Sequence, residues 1–546
     1  MFVSIILDTE YYGMEGRDKW FLKNLSHAKE NNCMIITHEQ LRQCYKRCAE
    51  NCAERFYKEF EMRKLSEKEY EEIKKGFVAD RIFEELETRF VSRTEMLLYL
   101  FEKRYEPLEE EIIRLIDEEL EKNGDDKVEA IFNCLDCFPS VLYLGEYYKC
   151  PVIPYCFSAI RKMHGYRQTL YMAGPEGSFR APNKVVKEYE TYLEAGEKLL
   201  SFSRRELLAL FGKEKNLPLL RLLDSEPQYE LGICKTPNGI YPWAFLRFQY
   251  TDADVYYEAR KRFEASHIIV RDHPNIPWNG TEKGPRKEHQ RNDPLSFILS
   301  CKRVATVESQ LPLKALLWNR TVYMKGELAA FECMCEKDME STAKADVNAL
   351  NFYIFGYLIP AELMFDRGYW GWRLKDHPTP YEVYKKHLAF YLGEFDLDEE
   401  TMRNMTEEER FRYILTGRKC SPLLIEELVR NKAPENVNYD VLYSKIVLQS
   451  TEGTAQEVVC INEVVQGEVS SVFRFEADNT YHGIDFYPFV DVGGFAEIRK
   501  LRVDGIETTF EGELQYFEKA NGRKRLECEV TSEFHEVIVE WKYCFR

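Results

Sequence analysis

Short apolar runs of strand length, each followed by a stretch long enough for a helix, occur in two separate series along this chain. That rhythm restricts the chain to an α/β architecture built on parallel sheets. The first series opens with the apolar run that precedes Asp8, passes through a helical pattern around Lys19 to Asn31, and continues at Cys33 to Thr37, Val128 to Asn133 and Pro151 to Tyr155. The second places strands at Tyr229 to Lys235, His267 to Arg271, Arg303 to Val307 and Thr321 to Lys325. Helices are predicted between them, over Asp252 to Ala265, Pro294 to Cys301 and Leu311 to Trp318.

Within the first series, Glu39 to Asn123 is charge-rich and helical in pattern, so an inserted helical subdomain is expected at about residues 39–125. One helix there has Pro107 in its first turn and carries Leu108, Ile112, Leu115, Ile116 and Leu120 as one apolar stripe. The stripe ends too soon for a coiled coil. Residues 346–435 are again helical and rich in aromatics, most densely from Phe365 to Arg373. From about Asn438 the pattern alternates, at Val458/Cys460, Ser470/Val472/Arg474, Ala496/Ile498, Leu514/Tyr516 and Val537/Val539/Trp541, with turn signals at Gly493-Gly494 and Asp504-Gly505. Such punctuation predicts a β-sandwich. The expected organisation is therefore two tandem Rossmann-like domains, residues 1–228 with the helical insertion and residues 229–345, then a helical connector, 346–435, and a sandwich, 436–546.

Composition narrows the function classes. Lys plus Arg number 75 against 93 Asp plus Glu, a formal charge of −18 that repels phosphate backbones, so no nucleic-acid partner is expected. The 16 cysteines are scattered rather than regularly spaced, which reads as reduced thiols in a cytoplasmic protein. The amino terminus has no basic region before its apolar run and does not read as a signal peptide. The most apolar later stretch, Ala349 to Ala361, contains Asn351 and Pro360 and falls short of the roughly 20 residues that span a bilayer. Membrane attachment is expected only through a partner.

The most informative stretch is Ile268-Ile269-Val270-Arg271-Asp272-His273-Pro274-Asn275, in which a buried strand runs into His-Pro at the ligand-binding edge of a parallel sheet. Pro274 fixes the exit of the chain and turns His273 toward the crevice. About thirty residues on, Val304 to Leu316 reads as a strand, the polar turn Glu308-Ser309, and a helix whose start Ser309 caps. Unpaired N–H groups at such a helix start suit a phosphate. Arg271 and Lys302 or Arg303 can add charge for a diphosphate or carboxylate, while an ordinary solvated face is the first reading of these positions.

His-Pro at one strand end, then strand, Glu308-Ser309 and helix with Ala315-Leu316-Leu317-Trp318-Asn319-Arg320-Thr321-Val322-Tyr323, resembles the carboxyl-terminal half of GT-B glycosyltransferases. It is most similar to bacterial capsule Kdo-transferases and CMP-dependent sialyltransferases, whose second motif is often Ser-Ser or Asn-Ser. The resemblance covers Tyr229 to Lys325, with a looser echo between Val128 and Tyr171. It implies that His273, Pro274, Glu308, Ser309 and Arg271 hold the nucleotide of a donor sugar, CMP-linked, for transfer to a cell-surface glycan without a metal or other cofactor.

The first domain is then expected to supply a general base. Glu176, in Pro175-Glu176-Gly177-Ser178, echoes the acid-Gly element of the sialyltransferase base, and Asp136 follows a strand, as do Asp8 and Glu10. Cys134 and Cys137 form a CxxC that reads as two buried thiols, and Asp252-Ala253-Asp254 as helix-start carboxylates rather than a metal-binding DxD. The aromatics Tyr369, Trp370 and Trp372 read as core rather than a sugar platform. Two other functions fit the same motifs: a polyol-phosphate transferase using a CDP-glycerol type of donor, and a noncatalytic glycan-assembly scaffold.

Overall fold

The computed structural model describes residues 1–7, 21–25, 27–29, 33–46, 57, 63–124, 127–134, 138–162, 166–173, 182–195, 199–224, 226–235, 250–271, 294–307, 309, 311–325, 331–430, 441–449, 455–465, 468–477, 480–489, 494–510, 514–517, 522–531 and 534–544. The first sheet is built from β1 (Phe2–Ile6), β2 (Cys33–His38), β3 (Lys75–Val78), β4 (Ala130–Cys134), β5 (Val152–Phe157) and β6 (Leu170–Ala173). Strands run in the order β6-β5-β4-β1-β2-β3, parallel from β3 to β5 and antiparallel at β6. β3 corrects the expectation of a wholly helical insertion, because residues 75–78 extend the parallel sheet. The strand is short and holds Lys75 and Gly76, so its apolar signal is only Phe77 and Val78; a side chain at position 76 would press on Met34 and Leu115.

A parallel sheet needs cover on both faces. One face of this sheet is closed by Ile82, Phe83 and Leu86 of the helix Asp80–Glu87, by Leu108, Ile112 and Ile116 of Glu106–Asn123, and by Val141 and Leu144 of Pro139–Tyr148, packed on Val3, Ile5, Met34, Ile36 and Ile131. The stripe expected from Leu108 to Leu120 is thus a core-facing helix side.

The second sheet contains β7 (Tyr229–Cys234), β8 (Ile268–Arg271), β9 (Cys301–Thr306) and β10 (Thr321–Met324), all parallel, in the order β10-β9-β7-β8. The helix Asp252–Arg260 covers one face through Val255 and Ala259. The helices Pro294–Leu299 and Leu311–Leu317 cover the other. Gly232 is required by that second contact: a Cβ there would lie 2.5 Å from Cys301 Sγ and 2.8 Å from the Phe297 ring.

The chain then returns to the first sheet. β11 (Leu358–Pro360) pairs antiparallel with β6 at its free edge, so the stretch expected as a connector also supplies a strand. Its helices Val347–Tyr357, Arg367–Lys375 and Pro380–Gly393 join the large core that closes the second face. Trp370 meets Phe132 of β4 edge-on at 5.3 Å, and Phe365 stacks on His27 at 3.9 Å. Tyr369 and Trp370 are buried, as core aromatics are.

Residues 441–544 form antiparallel strands β12 (Val441–Gln449), β13 (Ala455–Val465), β14 (Glu468–Glu476), β15 (Ile484–Tyr487), β16 (Gly494–Val503), β17 (Ile506–Thr509), β18 (Gln515–Phe517), β19 (Lys524–Leu526) and β20 (Phe534–Cys544). β13-β12-β15-β19 make one layer and β14-β20-β16-β17 the other, with β18 on β16. The layers join where Val464 and Val465 pair with Val469 and Glu468, and share a core that includes Phe473, Phe486 and Trp541. Along β14, Val469, Ser471, Phe473 and Phe475 are buried while Glu468, Ser470, Arg474 and Glu476 are exposed, the alternation a half-buried strand requires. This is the sandwich-like region expected from the pattern.

Two buried polar contacts hold the returning helices. Glu206, fully buried on Arg204–Phe211, accepts from Arg410 at 2.7 and 3.3 Å and from the Ser203 backbone at 2.7 Å. Burial alone pushes its carboxyl up, against the pull of Arg410. Arg410→Met is expected to destabilise the protein by about 3 kcal/mol in denaturant unfolding, because it strands a buried carboxylate, and Glu206→Gln in the same chain is expected to recover most of the loss.

His387 is buried, with Nδ1 donating to Phe355 O at 2.7 Å and Nε2 accepting from Tyr369 OH at 2.8 Å; Arg373 donates to that hydroxyl at 3.0 Å. Burial, then the charge of Arg373, lowers its pKa from 6.5 to about 3. Unfolding therefore takes up a proton between those values, so the stability due to the neutral ring is complete above pH 6.5 and is lost as pH falls toward 3. The urea midpoint is expected to fall between pH 7 and pH 5, with a shallower slope in His387→Gln.

Candidate functional site

In an open parallel sheet, ligands bind beyond the carboxyl ends of the strands where the strand order reverses. In the second sheet that point lies between β7 and β9. The registers Met324 with Thr306 and Cys234 with Arg271, and that of Ile233 with Ala305, place Met324, Thr306, Cys234 and Arg271 in one row across the sheet. Thr306 Oγ1 donates to Cys234 O at 3.0 Å and ties the two reversal strands together at their ends. One residue further on, Lys235 N donates to Arg271 O at 3.0 Å and Lys325 N to Thr306 O at 3.1 Å, so the ladder continues through both lysines.

Three of the four strands thus finish on a cation: β7 on Lys235, β8 on Arg271 and β10 on Lys325. Side chains alternate across a sheet. Arg271 therefore shares the face of Cys234 and Met324, and Lys235 and Lys325 share the face of Ile233 and Tyr323, under the helix Asp252–Arg260. The fourth strand, β9, leads to Ser309, which is half-buried and whose Oγ accepts from Leu311 N at 3.2 Å, the capping role expected of it. In a chain carrying −18, three strand ends of this one sheet each bring a cation to the edge.

Beside the edge, Glu258 gathers a polar cluster. Its Oε2 accepts from Tyr250 OH at 2.8 Å and Tyr323 OH at 3.2 Å, its Oε1 from Arg262 at 2.8 Å, and Lys325 Nζ stands 3.9 Å from Oε2. Burial would raise its pKa, but the Tyr250 and Arg262 hydrogen bonds and the charges of Lys325 and Arg262 outweigh it and hold the carboxyl below its usual range. Burial, followed by the bond to Glu258, pushes Tyr250 up to about 12. Tyr250, Asp254, Tyr257, Glu258, Lys261 and Arg262 line an open depression of about 540 Å³ on this side of the helix.

Of the residues singled out by sequence, the structure places Arg271 and Ser309 at the same sheet edge. His273, Pro274, Glu308, Glu176 and Asp136 lie outside the described residues, as do Asp8, Glu10 and Cys137. Cys134 is buried at the end of β4, as a core thiol is. Asp254 closes a capping box with Thr251, accepting from its backbone N–H at 2.8 Å, so the Asp252-Ala253-Asp254 element starts a helix. Arg303 corrects an expectation. It is buried at the opposite, amino end of β9, where it pairs with Glu230 at 2.6 Å and donates to Ser341 O and Glu340 O at 2.8 and 3.0 Å; Lys302 lies 3.7 Å from the same Glu230. Sequence reasoning missed Lys235 and Lys325 as site residues, although both closed runs it read as strands. The signal was position: each is the first charged residue after a buried strand.

At the reversal point of the first sheet, between β1 and β4, His38 bonds Leu7 O through Nε2 at 2.6 Å and Thr37 Oγ1 donates to Ile6 O at 2.9 Å. Ser4 Oγ and Tyr155 OH donate to Asn24 Oδ1 at 3.1 and 2.6 Å beneath that edge. Among the described residues, no group of three or more His, Cys, Asp or Glu side chains is arranged to hold a metal ion, and no helix is long and apolar enough to cross a membrane.

No family model matches the chain, and no curated protein matches it. Among solved structures it is similar to the β-Kdo 2,4 transferase KpsC of Thermosulfurimonas dismutans, at 10% identity over 41% of this chain and 78% of that one, with a TM-score of 0.25. The β-Kdo 2,7 transferase KpsC from the same organism matches at 12% identity over 46% and 87%, TM-score 0.27. The UDP-GlcNAc 2-epimerase of Methanocaldococcus jannaschii, in complex with UDP-GlcNAc and UDP, matches at 12% identity over 61% and 86%, TM-score 0.24. The architecture of the present chain is defined by its own strand order and registers.

Ser309→Ala is expected to lower stability by about 1 kcal/mol through loss of the cap, measured by denaturant unfolding. Ser309→Asp, which caps equally well, is expected to restore it.

Proposed function

We propose that this chain is a GT-B-type glycosyltransferase that binds a nucleotide sugar at the carboxyl edge of β7, β8, β9 and β10 and transfers the sugar to a hydroxyl of a surface glycan. The single observation that carries this reading is the cationic edge itself: Lys235, Arg271 and Lys325 stand at the carboxyl ends of three strands of a sheet whose order reverses between β7 and β9.

In the proposed reaction the acceptor oxygen attacks the anomeric carbon, the bond from that carbon to the phosphate oxygen breaks, and its electron pair leaves with the phosphate. Preorganised positive charge where that anion develops lowers the barrier without proton transfer or metal. Arg271 and the lysines are assigned that role, with His273 and the helix start near Ser309 completing the nucleotide site by the sequence resemblance. The acceptor's proton passes to a carboxylate of the first domain, for which Glu176 and Asp136 are the proposed bases. The resemblance favours a CMP-linked donor; the scattered cysteines favour a cytoplasmic enzyme, and the acidic charge a contact with the membrane that runs through partners.

Calorimetric titration of CMP, CDP, UDP, GDP and ADP tests this reading. One nucleotide is expected to bind, at least tenfold more weakly to Arg271→Met and His273→Ala, with unchanged circular dichroism. Absence of binding by every nucleotide overturns the transferase and leaves the scaffold. Selective binding of CDP, with glycerol phosphate appearing in the product, replaces sugar transfer by polyol-phosphate transfer.

A further inference from the structure

At the end of β10 the ammonium of Lys325 is confined from several sides. Its backbone N–H is the last rung of the ladder to Thr306 O, at 3.1 Å, which fixes the root of the side chain at the end of β10. The ammonium lies over the Tyr250 ring, 4.5 Å from its centroid, and 3.9 Å from Glu258 Oε2. The side chain nevertheless remains 40% exposed. A long flexible side chain has thus been held near one place without being buried.

The partner that confines it does not hydrogen-bond it. Glu258 faces two cations, and the closer of them is Arg262, bonded at 2.8 Å to Oε1 and itself 3.6 Å from Glu340 Oε2. The other oxygen is occupied by the hydroxyls of Tyr250 and Tyr323, at 2.8 and 3.2 Å, so Lys325 sits outside hydrogen-bonding distance of a carboxylate whose acceptor positions are already in use. Tyr323 is itself on β10, two residues before Lys325 and on the same face. The carboxylate therefore clamps strand and helix together and sets where the lysine stands. An arrangement built only to pair charges would bring Lys325 into contact.

We propose that Lys325 is a ligand for a phosphate of the nucleotide donor and that Glu258, with Tyr250, is its positioning residue. This rests on the reading that the second sheet's edge binds a nucleotide. A compact ammonium is a point charge that must be placed to be useful, whereas a guanidinium brings its own geometry. Glu258 supplies the placement, and the ammonium, on a side chain still 40% exposed, meets the anion.

The test uses the full chain and the nucleotide that the unsubstituted protein binds, with inorganic pyrophosphate as a second probe, titrated at low and high salt. Lys325→Met is expected to weaken nucleotide binding at least tenfold and to flatten its salt dependence. Lys325→Arg is expected to recover part of the affinity. Glu258→Gln, which keeps the hydrogen-bonding shape and removes the charge that fixes the ammonium, is expected to weaken binding three- to tenfold, while Lys122→Met, an exposed cation lost from the helix Glu106–Asn123 of the first unit, leaves it unchanged. Thermal unfolding of each variant identifies any that is misfolded, and the conservative Arg and Gln variants then carry the comparison. Nucleotide binding that is equal in the unsubstituted protein and Lys325→Met overturns the proposal and leaves the donor site standing. Loss in Lys325→Met with none in Glu258→Gln overturns the positioning role. No binding of any nucleotide by the unsubstituted protein removes the donor site and this proposal with it.

Discussion

A parallel sheet cannot leave a face in water, because its crossovers put apolar side chains on both sides. Much of this molecule follows from how the first sheet meets that demand. Its own crossover helices, from Asp80 to Tyr148, close one face. The other is closed in part by Phe21, Leu22, Leu25 and Ala28 and in part by chain that returns after the whole second sheet has been made. β11 pairs with β6, Trp370 packs on Phe132, and Phe365 packs on Tyr155 and Tyr171 at 5.6 and 5.7 Å. The two α/β units are thus threaded rather than strung in line, and the aromatic stretch after residue 346 is lid material for the first core.

With both faces of both sheets committed to packing, the ends of the strands are left for chemistry. Apolar burial supplies the stability, roughly 25 cal/mol per Å² of area removed from water, in the middle of the strands, where Leu231, Ile233, Val304 and Val322 are almost wholly inaccessible. The backbone ladder then carries the register out to the last residue of each strand. Lys235 and Lys325 stand level, one residue beyond Arg271 and on the opposite face, because the strands are parallel and hydrogen-bonded. Gly232 belongs to the same logic: it lets the helix Pro294–Leu299 close on β7 and so holds the reversal strands in place behind the edge.

Much of this was legible in the sequence, and the failures have physical causes. The strands of the second sheet and the alternation of the sandwich could be read because their apolar residues are contiguous or periodic. β3 was missed because Lys75 and Gly76 dilute a four-residue run set among charged helices. β11 was missed because a three-residue strand paired across a long sequence separation has no local signature. At the site, Arg271 and Ser309 were found through the motifs around them, whereas Lys235 and Lys325 belong to no motif and acquire meaning only when the register puts them in a row. Arg303 failed in the opposite way. A cation in an apolar run looks solvated, yet here it is buried against Glu230 and two carbonyls that only the tertiary fold supplies.

The charge distribution extends the argument to the rest of the molecule. The sandwich carries its ions as an exposed ladder across neighbouring strands, with Arg499 on Glu468 at 3.0 Å, Arg502 on Glu507 at 3.0 Å and Arg474 on Glu536 at 2.7 Å. Exposed pairs of this kind contribute little to stability and leave a face neutral and wet. At the edge of the second sheet the cations Lys235, Arg271 and Lys325 stand instead at the ends of three strands, with Glu258 3.9 Å from Lys325. Long-range repulsion from a chain of −18 fades over about 8 Å at physiological salt, so an anionic donor arriving at the edge meets the local cations rather than the net charge. An acidic protein can therefore hold a polyanionic small molecule while still repelling a polyanionic polymer, whose length keeps it in contact with the rest of the surface.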